Sequence, residues 1–357
     1  MANTFIQNIF SVKNDKMQKN CYIFGIKISF LSLKKAKYII YRRYLFPIIR
    51  NDLIHSILHK KNFINYIFVY NHNLLRIRKR VYWYIALFRF LFNKKLDIPV
   101  MDFNLTTRCT LRCEQCGSMM PFYSNEQQWT TTFEDFQCDL DKLLTCVNKI
   151  HKIKLIGGEP LLVRDLDKIL EYILKKKQVQ TVEITTNGTI EFSQKLLKIM
   201  AKNRKKIIVV MSNYSSNKNL TCFKYDKIKL ALDINRIDYL FPNYPWYLRG
   251  KIYRRNRSIK GLRSVFKKCW QKNCIALMDG KFHHCTRSVA VQRLTDYEFG
   301  ENENIDIRQN SSKKIIKFLK TFYLKDYFKV CDFCVTPSVK RIPRAVQTSE
   351  LQKIGDK

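Results

Sequence analysis

The stretch Cys109-Thr110-Leu111-Arg112-Cys113-Glu114-Gln115-Cys116 constrains this chain more than any other. Its three thiols, spaced Cys-x3-Cys-x2-Cys, follow the apolar run Val100-Met101-Asp102-Phe103-Asn104-Leu105, which reads as a buried strand. A loop leaving a strand can converge thiols, and iron–sulfur clusters are held by cysteine thiolates. Three thiolates on a four-iron cube leave one iron without a protein ligand, and an open position is what metal catalysis requires. The bland alternative is a zinc knuckle or incidental cysteines.

From residue 100 onward strands alternate with helical patterns, which implies a parallel sheet with crossover helices. Thr131-Thr132-Phe133-Glu134 has the form of a capping box. Behind it Phe133, Phe136, Leu140, Leu143, Leu144, Val147 and Ile150 recur at helical spacing. A strand is expected at Lys154-Leu155-Ile156, ending in Gly157-Gly158-Glu159-Pro160. A helix follows with Leu166, Ile169, Leu170, Ile173 and Leu174 on one face. Further strands are expected at Thr181 to Thr186, before Asn187-Gly188, and at Lys206 to Met211, before Ser212-Asn213-Tyr214. The cysteine loop and these three segments all fall where strands end, the place where α/β folds gather ligands.

Residues 1–98 stand apart. They carry 19 Lys+Arg against three Asp+Glu and are rich in aromatics. Tyr22 to Ile28 reads as a strand and Leu53 to Val69 as an apolar helix. The block Arg76-Ile77-Arg78-Lys79-Arg80, followed by Val81-Tyr82-Trp83-Tyr84-Ile85, suits either peripheral contact with an anionic membrane face or a helix packed on the rest of the chain. The longest apolar run, Val81 to Phe92, spans twelve residues and contains Arg89, too short and too charged to cross a bilayer. No signal-peptide pattern opens the sequence.

Over all 357 residues, 66 Lys+Arg against 29 Asp+Glu give a formal charge of +37. Such an excess suits anionic small molecules, nucleic acid or membrane surfaces. The basic residues form no dense tract, so no specific nucleic acid is implied. Twelve cysteines are too few for a disulfide scaffold in a chain this long. They point to a reducing, cytoplasmic setting where clustered thiols bind metal.

The Cys109/Cys113/Cys116 spacing after a first strand, with Gly157-Gly158-Glu159-Pro160 at the end of the next, resembles the radical S-adenosylmethionine (SAM) enzymes. One departure is Gln115, where that family usually has an aromatic residue. The resemblance covers about residues 100–345. It implies an α/β fold: a partial (β/α) TIM-type barrel binding a 4Fe-4S cluster and SAM. Gly157, Gly158, Glu159, Pro160, Asn187, Ser212 and Asn213 would then line the SAM pocket. Glycines there let backbone approach a ligand closely, and a carboxylate suits an ammonium.

A second constellation, Cys269 and Cys285 around Gly280 with Cys331-Asp332-Phe333-Cys334, resembles the twitch/SPASM domain. That implies a second, auxiliary 4Fe-4S cluster on these four thiols; a closed zinc site is the alternative. Met278-Asp279-Gly280-Lys281-Phe282 supplies a hairpin turn. Cys274 is left unligated. His283 and His284 are read as facing solvent or phosphate, and Cys21, Cys138, Cys146 and Cys222 as ordinary thiols.

The expected organisation is a basic N-terminal extension at 1–98, the barrel at 99–254, a small C-terminal cluster domain at 255–347 and a tail at 348–357. Arg341 to Gln347 resembles tails of radical SAM proteins from surface-polysaccharide loci. The layout of Cys269, Cys285, Cys331 and Cys334 resembles that of the 2-deoxy-scyllo-inosamine dehydrogenase group. It implies oxidation of a sugar, cyclitol or nucleotide-sugar, with an electron donor such as flavodoxin or ferredoxin. A peptide- or protein-modifying enzyme and a non-catalytic zinc- or cluster-stabilised protein are the rivals. No catalytic base is identified; Asp238, Tyr247 and Arg249 lie in a plausible region without being singled out.

Overall fold

The computed structural model describes three N-terminal strands (10–15, 18–23 and 26–30) and then residues 96–348, apart from positions 249–250, 270, 273–274, 301, 323–324 and 336–340. The expected helix at 53–69, the basic block at 76–85, Arg249, Cys274 and nearly all of the expected tail lie outside the described residues.

The N-terminal strands β1 (Phe10–Asp15), β2 (Gln18–Ile23) and β3 (Ile26–Phe30) form an antiparallel sheet in that order. The run read as one strand, Tyr22 to Ile28, is instead the junction of two, with Ile23 facing Ile26. A glycine inside an alternating apolar run is a turn signal, and Gly25 lies within this one.

The main body is a nine-stranded sheet. Its parallel centre comprises β4 (Leu96–Ile98), β5 (Met101–Asn104), β6 (Val147–Ile156), β7 (Val179–Thr186), β8 (Ile207–Met211) and β9 (Tyr239–Leu240). Strands β5 to β9 lie side by side in chain order, and β4 pairs with the start of β6. The connections hold helices α1 (Phe133–Cys146), α2 (Leu166–Lys175), α3 (Gln194–Lys202) and α4 (Tyr225–Ile234). This α/β parallel arrangement has the architecture of a partial TIM-type barrel.

Alternation along the strands decides the packing. Met101 and Phe103 of β5, Ile153 and Leu155 of β6, and Val182 and Ile184 of β7 join the core under the helices. The Phe103 ring lies 4.9 Å from that of Phe136 in α1. Two expectations shift here. The helix cap is Thr132, whose hydroxyl accepts from the Asp135 amide at 3.1 Å, one residue later than the expected box. The helix also stops at Cys146, so Val147 and Ile150 belong to β6. Both are apolar and β-branched, and pairing with β4 suits them better than a fifth helical turn.

The C-terminal third extends the same sheet. After β10 (Trp246–Tyr247) and α5 (Ile259–Lys268), the hairpin of β11 (Ile275–Met278) and β12 (Lys281–His283) adds to the outer edge of β5, with β11 parallel to it. Asp279 and Gly280, with φ of 49° and 69°, form its two-residue turn. That left-handed pair matches the twist of the flanking strands, as Asp-Gly leads one to expect. Then come α6 (Thr286–Leu294), β13 (Ile305–Asp306) beside β12, α7 (Ser312–Phe322) and β14 (Arg341–Ile342), which pairs with β10.

Asp139 of α1 fastens this hairpin to the barrel. Its buried carboxylate accepts from the Gly280 amide at 3.0 Å and from Arg308 Nε and Nη2 at 2.6 and 3.0 Å. Burial pushes its pKa above the ordinary carboxylate range, and Arg308 pulls it back only in part. Asp139→Asn is expected to lower stability by about 1–3 kcal/mol, measured as a fall in the denaturation midpoint with an unchanged slope.

Candidate active site

The four strand-end segments singled out in the sequence come together. The backbone of Gly157–Glu159 lies directly on the cysteine loop. Gly158 N donates to Thr106 O at 2.8 Å and Glu159 N to Arg108 O at 2.9 Å. A Cβ on Gly158 would stand 2.0 Å from Arg108 O, and one on Gly157, where φ is 154°, 2.4 Å from Thr106 O. The glycines are therefore needed for backbone against backbone, not only for approach to a ligand.

Glu159 is fully buried, and its carboxylate is already occupied. It accepts from Leu161 N at 3.1 Å, Thr186 Oγ1 at 2.9 Å and Asn187 N at 2.8 Å. Burial pushes its pKa up to about 7, against the pull of those donors. The side chain that sequence reasoning offered to an ammonium thus serves as a clasp between two loops.

Asn187, expected in the SAM pocket, turns its amide onto the cysteine loop. Nδ2 is 2.9 Å from Thr110 Oγ1 and 3.6 Å from Cys109 Sγ, while Oδ1 accepts from Thr189 N and Oγ1 at 3.0 and 2.7 Å. Ser212 N donates to Thr186 O at 2.9 Å, and Ser212 O accepts from Tyr225 Oη at 2.8 Å. Asn213 Oδ1 caps the Ser215 amide, and its carbonyl accepts from Arg344 at 3.3 Å. Tyr214 packs against the apolar cluster that holds all three cysteines.

Cys109, Cys113 and Cys116 share that cluster with Leu111 and Ala345. Burial first, and the neighbouring thiols after it, push Cys109 and Cys113 up to about 12. Thiols held this way become thiolates when a cation takes the place of their protons. The donor set therefore suits a cationic cluster.

Sequence reasoning missed one contributor. Gln347 forms an isolated antiparallel bridge with Cys113, and its Nε2 lies 3.3 Å from Cys113 Sγ. It comes from the segment that drew only a loose resemblance, and nothing local in the sequence aims it at a cysteine 234 residues away.

The second set of thiols converges from three elements. Cys269 ends α5, Cys285 precedes α6, and Cys331 and Cys334 lie on the short helical turn Lys329–Phe333 and just after it. Burial raises Cys285 and Cys331 strongly, Cys334 and Cys269 push both further the same way, and Cys285 also feels Cys331. Asp332, between the last two cysteines, is 4% exposed. It accepts from three successive backbone amides, Arg255, Asn256 and Arg257, at 3.2, 2.9 and 2.9 Å. That nest ties the Cys-x2-Cys turn to the loop before α5.

His283 and His284 do not face solvent. Both are buried, His284 stacks on Phe328 at 4.3 Å, and burial drives His283 down to about 3. Of the ordinary thiols, Cys138 and Cys222 are exposed and Cys146 is buried. Among the described residues, no three His, Cys, Asp or Glu side chains stand close enough together to hold a single metal ion. None of the described helices is long and apolar enough to cross a membrane.

The face of the sheet opposite the helices is charged. Asp102, Lys154 and Glu183 stand in register on β5, β6 and β7. Lys154 Nζ is 3.7 Å from each carboxylate, and Lys152 Nζ is 2.9 Å from Glu183. Burial alone would raise Glu183, but Lys154 and Lys152 hold it below the ordinary range. Central parallel strands are usually apolar on both faces; the charged layer of Asp102, Lys154, Lys152 and Glu183 departs from that pattern.

A parallel barrel with a thiol loop, a glycine turn and two further polar segments gathers them at the C-terminal ends of its strands, where barrel enzymes place their active sites. Residues 103–227 match the family model described as Radical SAM superfamily, and over this segment the chain is similar to that superfamily. GTP 3',8-cyclase of Aquifex aeolicus is 32% identical over 131 residues, 35% of this chain and 39% of that protein. Molybdenum cofactor biosynthesis protein 1 of Dictyostelium discoideum is 38% identical over 97 residues, 26% of this chain and 14% of that protein. The chain thus spans about two fifths of the length of the first curated relatives it matches. Among solved structures, BtrN in complex with AdoMet and 2-DOIA aligns with 70% of this chain and 98% of its own. Its identity is 15% and its TM-score 0.41, too slight a likeness to bear on chemistry.

Gly158→Ala is expected to lower stability by about 2 kcal/mol or more, since backbone atoms cannot yield to the new methyl group. Gly117→Ala, whose Cβ would meet nothing within 4 Å, is the control and should leave the unfolding midpoint unchanged.

Proposed function

We propose that this protein is a radical SAM enzyme with two 4Fe-4S clusters that oxidises a sugar, cyclitol or nucleotide-sugar. The observation that carries the reading is the direct bonding of the Gly157–Glu159 turn and Asn187 to the loop of Cys109, Cys113 and Cys116. Those three thiolates would hold the first cluster; Cys269, Cys285, Cys331 and Cys334 would hold the auxiliary one. When bound, a cluster with an open iron and SAM supply a carbon radical that takes hydrogen from a substrate.

The chain's own part is to bind, orient and manage protons. The backbone of Gly157–Pro160, with Ser212 and Asn213, would line the SAM pocket. Once the substrate hydrogen is taken, completing an alcohol oxidation releases one proton and one electron. The inner-face carboxylate of Asp102, beside Lys154, would take the proton, and the electron would pass to the auxiliary cluster on Cys269, Cys285, Cys331 and Cys334. Beside the cysteine loop a cavity of about 320 Å³ is lined by Arg108, Gln128, Trp129, Thr130, Leu162 and Arg164. Two guanidinium groups and an indole suit a phosphorylated, ring-bearing substrate. The similarity to relatives named for a reaction of GTP, a phosphorylated nucleoside, supports the same substrate class. The electron would come from a donor such as flavodoxin or ferredoxin.

Anaerobic reconstitution should give about eight irons per chain, and about four after Cys109, Cys113 and Cys116 are replaced by Ala. Incubation with SAM and a reductant should yield 5′-deoxyadenosine. Protein holding only zinc, or intact clusters that release none of that product, would overturn the reading.

A further inference from the structure

The chain returns to its first cysteine loop at the far end of the described residues. β14 pairs with β10, Trp246 opposite Ile342. Arg344 then reaches Asn213 O at 3.3 Å and Asn243 Oδ1 at 2.6 Å, and Ala345 O accepts from Asn217 Nδ2 at 3.0 Å. Glu114 N donates to Val346 O at 2.9 Å, and Thr348 N to Arg112 O at 3.0 Å. Ala345 is fully buried against Leu111 and Cys113 with φ of 54°. A residue with a Cβ adopts that left-handed conformation only where its surroundings impose it.

Gln347 lies where this strap meets the thiols, and each end of its amide is specified. Oε1 accepts from Arg112 N at 2.7 Å, which leaves Nε2 to face the other way. One Nε2 hydrogen goes to Ala345 O at 2.7 Å; the other points to Cys113 Sγ at 3.3 Å. An oxygen in the Nε2 position would meet a carbonyl and a sulfur, both acceptors.

We propose that the strap Arg341–Thr348 makes Gln347 a positioning residue for the first cluster, its amide hydrogen bond to Cys113 setting that cluster's reduction potential. The inference rests on the three thiols holding an iron–sulfur cluster. Hydrogen bonds to the sulfurs are among the levers that tune such potentials. A donor on Cys113 stabilises the extra negative charge of the reduced state more than the oxidised one. It therefore makes the cluster easier to reduce. Asn187 makes a longer approach of the same kind to Cys109, so two side-chain amides flank two of the three ligands.

The test compares full-length wild type, Gln347→Leu and Gln347→Glu after anaerobic reconstitution. Iron and sulfide are counted, and the midpoint potential is read from the electron paramagnetic resonance signal that changes when SAM is added. The expected result is a Leu variant with wild-type iron and a lower potential. The Glu variant should show a larger fall or loss of the first cluster alone, because it sets a carboxylate against a thiolate. Equal potentials in all three proteins would overturn the role of Gln347 while leaving the enzyme reading intact. Loss of iron from the Leu variant would do the same, because it would make the residue structural. A wild-type protein that binds no iron would overturn the enzyme reading itself, and this inference with it.

Discussion

The site depends on one buried carboxylate. Glu159 closes the turn after β6 by capping Leu161 and, with its remaining lone pairs, fixes Thr186 and Asn187 at the end of β7. Thr186 Oγ1 in turn holds the Gly188 amide at 3.1 Å, and Thr186 O holds Ser212. The Asn187 amide reaches the cysteine loop from the same position. Loops that leave separate strands have no local reason to agree on a geometry. A fully desolvated carboxylate imposes one, since each unmet donor or acceptor in that environment costs free energy comparable to a lost hydrogen bond.

The same constraint explains the glycines. The turn carrying Glu159 must lie flush on Thr106 and Arg108 for its carboxylate to reach β7, and a side chain at either glycine would hold the two backbones apart. Gly188 follows the rule at the next loop. Its φ is 81°, and a Cβ there would fall 2.3 Å from the Tyr225 ring. Tyr225 is itself spent on Ser212 O and Tyr214 N. The ligand-facing edge of the barrel is thus a chain of contacts, each made possible by the absence of an atom in the one before.

What was legible in the sequence is what depends on neighbours in sequence. The thiol spacing, the Gly-Gly-Glu-Pro turn, the strand ends and the Asp279-Gly280 hairpin all follow from local pattern, and they fall at the strand ends where the fold gathers ligands. The start of β6 was hidden because Val147 and Ile150 continue the apolar period of α1, and only pairing with β4 decides between helix and strand. The roles of Glu159 and Asn187 were hidden for a related reason. Their residue types fit a ligand pocket, but which partner each takes is settled by loops that meet in space. Asp332 and Gln347 carried no signal: one is bound by backbone amides 75 to 77 residues away, the other by a loop 234 residues away.

Those long closures make the C-terminal third part of the barrel's architecture. The hairpin β11–β12 takes the edge of β5, the strand that delivers the first cysteines, and Asp139 locks its turn to α1. α5 and α6, which flank the hairpin, present Cys269 and Cys285 to the second thiol set. The chain then passes the Asp332 nest and crosses back over Asn213 and Asn217 to Cys113. Both thiol sets are therefore braced against the same strand, one through its loop and one through its hydrogen-bonded neighbour. Closing a long loop costs only slightly more entropy than closing a short one, so a segment so distant in sequence can serve as the last wall of the first site.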